Sequence, residues 1–217
     1  MTPRRNREPS LVTTGYLVIY NVLSWFAWTY VLMWTLGEVW NKSGDYTQNC
    51  SKIGWTLTLV QTGAVLEILH SIIGIVRSPV LTTTIQVFSR VMLVWGILFL
   101  FPIPEVHEHW AFTTMTVAWC ITESIRYLYY ALNLLNIQSS LLVWARYTFF
   151  YALYPLGATS EAILIYQSLS AAKSLNIYYY YYLVFLLFTY PPVFLHMYTH
   201  MMIQRKKYLS PKSKKSE

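Results

Sequence analysis

The stretch Tyr147-Thr-Phe-Phe-Tyr-Ala-Leu-Tyr154-Pro155-Leu-Gly157-Ala-Thr-Ser-Glu161 places a carboxylate seven residues after a Tyr-Pro pair, inside a run apolar enough to lie in a bilayer. Burial of an ionisable side chain in hydrocarbon costs at least roughly 2.5–3.5 kcal/mol on insertion scales. Seven residues are nearly two helical turns, so the Tyr154 and Glu161 side chains are predicted to share one helix face, roughly 10.5 Å apart along the axis. This carboxylate is therefore a candidate functional group.

The residues around this pair favour a close approach. Pro155 removes one backbone hydrogen bond and Gly157 permits close packing, so a kink here would narrow the gap between the two side chains. Tyr147 and Tyr151 extend the same stripe. From spacing alone, a stripe of packed aromatic rings with one paired glutamate is the alternative interpretation.

The composition is that of a membrane protein. Of the 217 residues, 55% are hydrophobic and 12% are charged, and the charged share is about half that of a globular chain. An aromatic share of 18% suits belts of Tyr and Trp at the two membrane interfaces. Six stretches reach the ~20 residues that cross a bilayer, which predicts an all-α polytopic membrane protein built as one six-transmembrane-helix bundle. These are Leu11–Leu36, Ile53–Val76, Pro79–Phe101, Trp110–Leu132, Leu141–Ala171 and Leu175–Ile203.

The distribution of Lys and Arg between the loops predicts the orientation. With six spans and a cytosolic N-terminus, ten basic residues face the cytosol and three face the other side, so both termini are predicted to be cytosolic. The ten are Arg4, Arg5, Arg7, Arg77, Arg205, Lys206, Lys207, Lys212, Lys214 and Lys215. The three are Lys42, Lys52 and Lys173. The positive charge is thus a juxtamembrane cluster that faces anionic lipid, and no nucleic-acid partner is expected.

Three parts follow from this topology: a basic head (1–10), a transmembrane domain (11–203) and a basic tail (204–217). The tail ends in Lys214-Lys215-Ser216-Glu217, which fits the dilysine pattern that returns membrane proteins to the endoplasmic reticulum. The alternative is a solvated basic tail. Because the predicted topology places the pattern in the cytosol, a location in the endoplasmic reticulum membrane is expected.

Six charged residues fall within the apolar stretches, and equal numbers of acids and bases suggest mutual pairing in the interior. They are Glu67, Arg90, Glu123, Arg126, Arg146 and Glu161. Glu123 and Arg126 are three residues apart, so a structural ion pair is expected, with substrate contact as the second interpretation. Glu67 and His70 have the same spacing, which suits a satisfied interior pair or a proton relay.

The segment from His70 to Arg77 has the outline of a phosphatase signature. Ser71 stands where that chemistry needs a cysteine, because the thiolate is the nucleophile and ionises near neutral pH. The stretch also has the pattern of a helix rather than of a phosphate-binding loop. Phosphatase activity is not expected.

Along most of its length the chain resembles the membrane 3-hydroxyacyl-CoA dehydratases of very-long-chain fatty acid elongation, also called protein-tyrosine-phosphatase-like proteins. The matching stretches are Tyr20-Asn21, Gln61-Thr-Gly-Ala-Val-Leu-Glu67-Ile, Gly74-Ile-Val-Arg-Ser-Pro79, Gln86-Val-Phe-Ser-Arg90, Ala118-Trp-Cys-Ile-Thr-Glu123-Ser-Ile-Arg126-Tyr127, Arg146-Tyr147, Leu153-Tyr-Pro-Leu-Gly157, Ser160-Glu161 and His196-Met197.

The resemblance implies that Tyr154 and Glu161 are the catalytic acid–base pair, with Arg90, Arg146 and Gly157 as supporting positions. The implied reaction removes water from a 3-hydroxyacyl-CoA to give the trans-2-enoyl-CoA, the third step of each elongation cycle. It implies no cofactor and no metal.

The partners that the resemblance implies are the elongase condensing enzyme, the 3-ketoacyl-CoA reductase and the trans-2-enoyl-CoA reductase. A catalytically silent membrane scaffold of these elongation enzymes is the alternative. A transporter is a third interpretation, since paired intramembrane charges also mark ion paths.

Overall fold

The computed structural model describes residues 10–76 and 78–209, and every regular element in these ranges is a helix. The α-helices are α1 (Leu11–Asn41), α2 (Asn49–Gly63), α3 (Val65–Ile72), α4 (Val80–Met92), α5 (Pro104–His107), α6 (Trp110–Leu134), α7 (Ser140–Leu175) and α8 (Ile177–Leu209). A π-helical segment, Leu93–Phe99, continues α4 directly. The predicted all-α fold class is confirmed.

Serine side chains begin two of the long helices. The Ser10 hydroxyl accepts a hydrogen bond from the Thr13 backbone N–H at 3.2 Å, and Ser139 accepts one from Leu142 at 3.3 Å. Each bond satisfies a backbone donor that the first helical turn leaves without a partner. These caps fix where α1 and α7 start.

The long helices pack in a row in which α6 lies between α1 and α7, and α8 packs on α7. The ring of Tyr20 on α1 lies 6.1 Å from that of Tyr127 on α6, and Thr29, later on α1, hydrogen bonds with Ser124, earlier on α6, at 3.3 Å, so these helices run in opposite directions. Residues 135–139 join α6 to α7, and Asn176 alone separates α7 from α8. Because neighbours in the row alternate in direction, Ser10 and Leu209 lie at the same end of the bundle.

The core forms where α1, α2, the π-helical segment, α6 and α7 meet. Its largest fully buried members include Trp28, Ile53, Leu57, Leu93, Ile97, Phe112, Met115, Leu164 and Ile165. In contrast, α8 buries only Leu183 completely and leaves many large apolar side chains on its surface. Such a surface suits contact with lipid.

Within residues 10–76 and 78–209, three helical stretches are long and apolar enough to cross a membrane. They are Leu11–Asn41, Val80–Phe99 and Ile177–Leu209. The chain is thus an all-helical protein with candidate membrane spans.

The second predicted span differs from the observed helices. In place of one helix over Ile53–Val76 there are two, because the chain turns at Ala64 after Gly63, a weak helix former. The second of them ends at Ile72, and Gly74 then adopts a left-handed φ of +73°. The predicted helix over the phosphatase-like segment therefore stops early.

Three predictions concern residues outside the described ranges. They are most of the basic head, the membrane-end position of Arg77, and the dilysine signal at Lys214 and Lys215.

Candidate functional site

The Glu161 carboxylate lies on α7, partly buried between α6 and α8. One of its oxygens, Oε1, accepts a hydrogen bond from the indole N–H of Trp119 at 2.7 Å, and Oε2 accepts one from the Tyr190 hydroxyl at 3.0 Å. Among the described residues it forms no salt bridge. Two neutral donors thus fix this carboxylate and leave part of its acceptor capacity for another group.

The Tyr154 ring packs on the same neighbouring helix as the Glu161 carboxylate. It stacks on Phe194 at 5.2 Å between ring centroids and on Tyr198 at 6.4 Å. No hydrogen bond joins its hydroxyl to another described residue, and the side chain lies within range of the charges of Glu161 and Arg90. A phenol and a carboxylate therefore share the α7–α8 interface.

The aromatic stripe continues toward the N-terminal end of α7. Tyr151 meets Tyr198 edge to face at 6.0 Å, and Tyr147 stacks on Tyr208 at 4.9 Å. Both contacts are with α8, so the predicted stripe is an interhelical contact along most of its length.

The predicted ion pair between Glu123 and Arg126 is present, and it belongs to a larger network. Arg126 donates from Nε to Glu123 at 2.6 Å and from both terminal nitrogens to Glu67 at 2.7 and 3.0 Å. Arg90 donates to the other Glu123 oxygen, and the Tyr127 hydroxyl donates to Glu67. Two acids and two bases from three helices thus neutralise one another.

Arg90 links this network to Glu161. Its guanidinium, held by Glu123, lies 5.2 Å from the centroid of the Trp119 ring, the same ring that donates to Glu161. Arg90 and Glu161 are close enough for their charges to interact without forming a salt bridge. A fixed positive charge therefore stands beside the candidate carboxylate.

The remaining two supporting positions lie at different depths along α7. Gly157 is buried against α6, where a Cβ atom would lie 3.7 Å from that of Ala118 and 3.9 Å from the Trp119 ring. Arg146 is closer to the N-terminal end of the helix, where it donates to the Tyr130 hydroxyl at 3.2 Å. Gly157 thus borders the Glu161 site, whereas Arg146 belongs to a separate cluster.

The expected pairing of Glu67 with His70 is wrong. The carboxylate is taken by Arg126, while His70 Nε2 hydrogen bonds with the Tyr16 hydroxyl at 2.8 Å. In the phosphatase-like segment, Ser71 hydrogen bonds with Ser78. Neither contact was evident from spacing along one helix, because both partners come from outside it.

Sequence reasoning also missed the two donors that hold Glu161. A signal for one existed: Tyr190 precedes Pro191-Pro192 and so repeats the Tyr-Pro order of Tyr154. Trp119 carries no distinguishing local signal, because an indole in an apolar span is usually packing.

Comparison with known proteins identifies the family. The model of a family described as protein tyrosine phosphatase-like protein, PTPLA, matches residues 61–211. The chain belongs to the PTPLA family. This family model spans the Glu161 site and the ion network.

Curated relatives extend the similarity over nearly the whole chain. Very-long-chain (3R)-3-hydroxyacyl-CoA dehydratase 2 of Mus musculus is 38% identical, covering 95% of this chain and 85% of the relative. The dehydratase PASTICCINO 2 of Arabidopsis thaliana is 39% identical, over 95% of this chain and 97% of its own. A probable dehydratase of the same class from Schizosaccharomyces pombe is 42% identical, over 88% of this chain and 91% of the relative. No solved structure shows a significant match.

Proposed function

We propose that this chain is a very-long-chain (3R)-3-hydroxyacyl-CoA dehydratase in which Tyr154 and Glu161 form the acid–base pair. The observation that carries the proposal is the state of Glu161. Its carboxylate is held by two neutral donors, bonds to no basic residue among those the structure describes, and lies beside a phenol. The relatives named for this activity support the substrate class.

The reaction breaks a C2–H bond and the C3–O bond, forms the C2=C3 double bond and releases water. One group must accept the C2 proton, and another must deliver a proton to the departing hydroxyl. A carboxylate and a phenol on one helix face supply these two functions between them. Glu161 is fixed by Trp119 and Tyr190, so its orientation needs no reorganisation when substrate arrives.

Arg90 and the ion network have supporting roles in this proposal. The Arg90 guanidinium would stabilise the negative charge that develops on the thioester oxygen as the C2 proton leaves. Glu123 holds Arg90, and Arg126 in turn holds Glu123. The network thus positions one charge for the reaction and neutralises the rest.

The proposed setting is the endoplasmic reticulum membrane, crossed six times, with both termini in the cytosol. The placement of Ser10 and Leu209 at one end of the bundle is consistent with an even number of crossings. The tail signal and the excess of basic residues on one side support the orientation. In sealed microsomes, protease should remove epitopes at both termini and spare one near Asp45; a protected terminus would overturn this topology.

The condensing enzyme and the two reductases of the elongation cycle are the proposed partners. The 3-ketoacyl-CoA reductase makes the substrate of dehydration, the trans-2-enoyl-CoA reductase consumes its product, and the condensing enzyme acts before both in the same cycle. The silent-scaffold alternative predicts the same partners without turnover. Only an activity measurement separates the two.

The test is dehydration of a 3-hydroxyacyl-CoA by the purified full chain, with the enoyl-CoA product quantified. Tyr154→Phe and Glu161→Gln should each lower turnover by roughly 10²–10⁴-fold, since each removes one proton-transfer group. Tyr166→Phe on the exposed side of α7 and Glu108→Gln in an exposed turn are matched controls and should remain active. Normal turnover by both site variants would reject the pair and favour the scaffold.

A further inference from the structure

Two arginines at one end of the α7–α8 pair have buried donors that bond to none of the described residues. The Arg146 Nη1 and Arg205 Nε atoms are buried, and neither forms a hydrogen bond with the described residues. The Arg146 guanidinium lies 4.8 Å from the Tyr129 ring centroid, and that of Arg205 lies 5.4 Å from Tyr151. Buried donors of this kind normally have an acceptor.

Stacked tyrosines connect the two arginines. Tyr147 follows Arg146 on α7 and lies nearly parallel to Tyr208, with an interplanar angle of 10°, and Tyr208 is one helical turn after Arg205 on α8. We name Arg146, Arg205, Tyr147, Tyr151 and Tyr208 the arginine–tyrosine cluster. It combines planar cations with flat aromatic surfaces.

This region has little negative charge of its own. From residue 135 to residue 209 the sequence contains five basic residues and one acid, Glu161, which lies several turns away along α7. Neither Arg146 nor Arg205 forms a salt bridge with a described carboxylate. No described carboxylate therefore neutralises the charge of the cluster, which suits an anion from outside the chain.

The chemistry of the cluster selects phosphate groups. Guanidinium forks bind phosphate oxygens through paired, charge-assisted hydrogen bonds, and aromatic faces stack on nucleobases. We infer that the arginine–tyrosine cluster binds the phosphorylated nucleotide of the CoA thioester, an inference that rests on the proposed function. It assigns Arg205, which sequence reasoning treated only as part of a basic tail, to substrate binding.

The spacing along α7 fits the length of that substrate. At 1.5 Å per residue, Arg146 lies roughly 12 Å from Tyr154 and roughly 22 Å from Glu161 along the axis. An extended pantetheine arm of about thirteen bonds spans roughly 15 Å, at ~3.4 Å per three bonds. A thioester whose phosphates contact Arg146 thus places its reacting carbons between Tyr154 and Glu161.

The test uses the full chain in detergent and measures the equilibrium binding of free CoA, which requires no turnover. Arg205→Gln should weaken binding roughly 10-fold or more, because charge-assisted hydrogen bonds to phosphate are lost. Arg205→Lys keeps the charge but loses the planar guanidinium fork, so the affinity of this variant for CoA should lie between those of the wild type and Arg205→Gln. Lys206→Gln, an exposed neighbour on the same helix, is the matched control and should bind CoA normally.

Steady-state kinetics then show which part of the substrate the cluster binds, the nucleotide or the acyl chain. For Arg205→Gln, KM should rise with 3-hydroxyacyl-CoA and stay unchanged with the corresponding pantetheine thioester, which lacks the nucleotide, while kcat is kept. An equal rise in KM with both substrates, or an equal effect of Lys206→Gln on CoA binding, would overturn the inference.

An anionic lipid headgroup carries the same phosphate chemistry. If Arg205→Gln loses co-purifying anionic phospholipid but keeps its affinity for CoA, the cluster is a lipid site and the inference is wrong. Unchanged CoA binding together with normal wild-type dehydration would reject the subsite and leave the proposed function intact. Weakened CoA binding would support the subsite even if the proposed acid–base pair failed its own test.

Discussion

The ion network around Glu123 and the α7–α8 interface around Glu161 hold their carboxylates in opposite ways. Glu123 is bonded to two arginines and almost fully buried, with 3% of its side chain exposed. Within the described part of the chain, Glu161, in contrast, accepts bonds only from an indole and a phenol. Both glutamates lie within apolar stretches of the sequence.

This difference in bonding partners distinguishes a glutamate suited to stabilising the fold from one suited to proton transfer. A carboxylate neutralised by two guanidinium groups is a poor proton acceptor, and its removal leaves buried cations without compensation. A carboxylate held by neutral donors keeps its orientation and its basicity toward a substrate proton. We therefore expect substitutions around Glu123 to lower the stability of the protein and substitutions around Glu161 to lower its turnover.

The largest effect is expected from the double variant Tyr154→Phe with Glu161→Gln. If the two groups act as a unit, as we propose, its turnover should be little lower than that of the poorer single variant, which is itself reduced roughly 10²–10⁴-fold. Single-turnover assays of all three variants would check this. If the turnover of the double variant fell by the product of the two single-variant factors, the two residues would act independently.

The same chemical change in the ion network should affect folding instead. Glu123→Gln leaves the charges of Arg90 and Arg126 partly uncompensated and should destabilise the protein by about 3 kcal/mol. In detergent, that corresponds to a fall of roughly 6–12 °C in Tm.

Glu161→Gln serves as the paired measurement, with Tm within a few degrees of the wild type. If both variants lose stability equally, the contrast between the two regions does not hold.

A smaller effect is expected at the donors of Glu161. Tyr190→Phe removes the bond to Oε2 but retains the ring and the Trp119 bond, so kcat should fall roughly 10-fold. The matched control is Tyr182→Phe on the same helix, which should turn over normally. A loss as large as that of Tyr154→Phe would instead make Tyr190 a proton donor in its own right.

The smallest effect is expected at Gly157. An added methyl group would make ordinary contacts of 3.7 and 3.9 Å, so Gly157→Ala should change stability by less than ~1 kcal/mol and leave turnover nearly unchanged. Gly157→Leu should press on the Trp119 ring and lower turnover through Glu161. Progress curves for both variants would show whether Gly157→Leu lowers turnover more than Gly157→Ala does. Strong inactivation by Gly157→Ala would contradict this expectation.

The sequence by itself determined the all-helical class and, through its ordered matching stretches, the family. The acid–base pair of Tyr154 and Glu161 stays a prediction. The helical class follows from a local property, the length of the apolar runs, and the shared helix face of Tyr154 and Glu161 follows from their spacing within α7. The same locality explains the correct pairing of Glu123 with Arg126, three residues apart.

Only the tertiary structure decided which partner each remaining charge takes. Glu67 bonds to Arg126 rather than to His70, and Glu161 is held by Trp119 and Tyr190, because these contacts join helices that are distant in sequence. Spacing along one helix cannot specify the rotation of a neighbouring helix. The physical distinction between Glu123, which two arginines neutralise, and Glu161, which two neutral donors hold, therefore arises from the contact of α4 with α6 and the packing of α6 and α8 on α7.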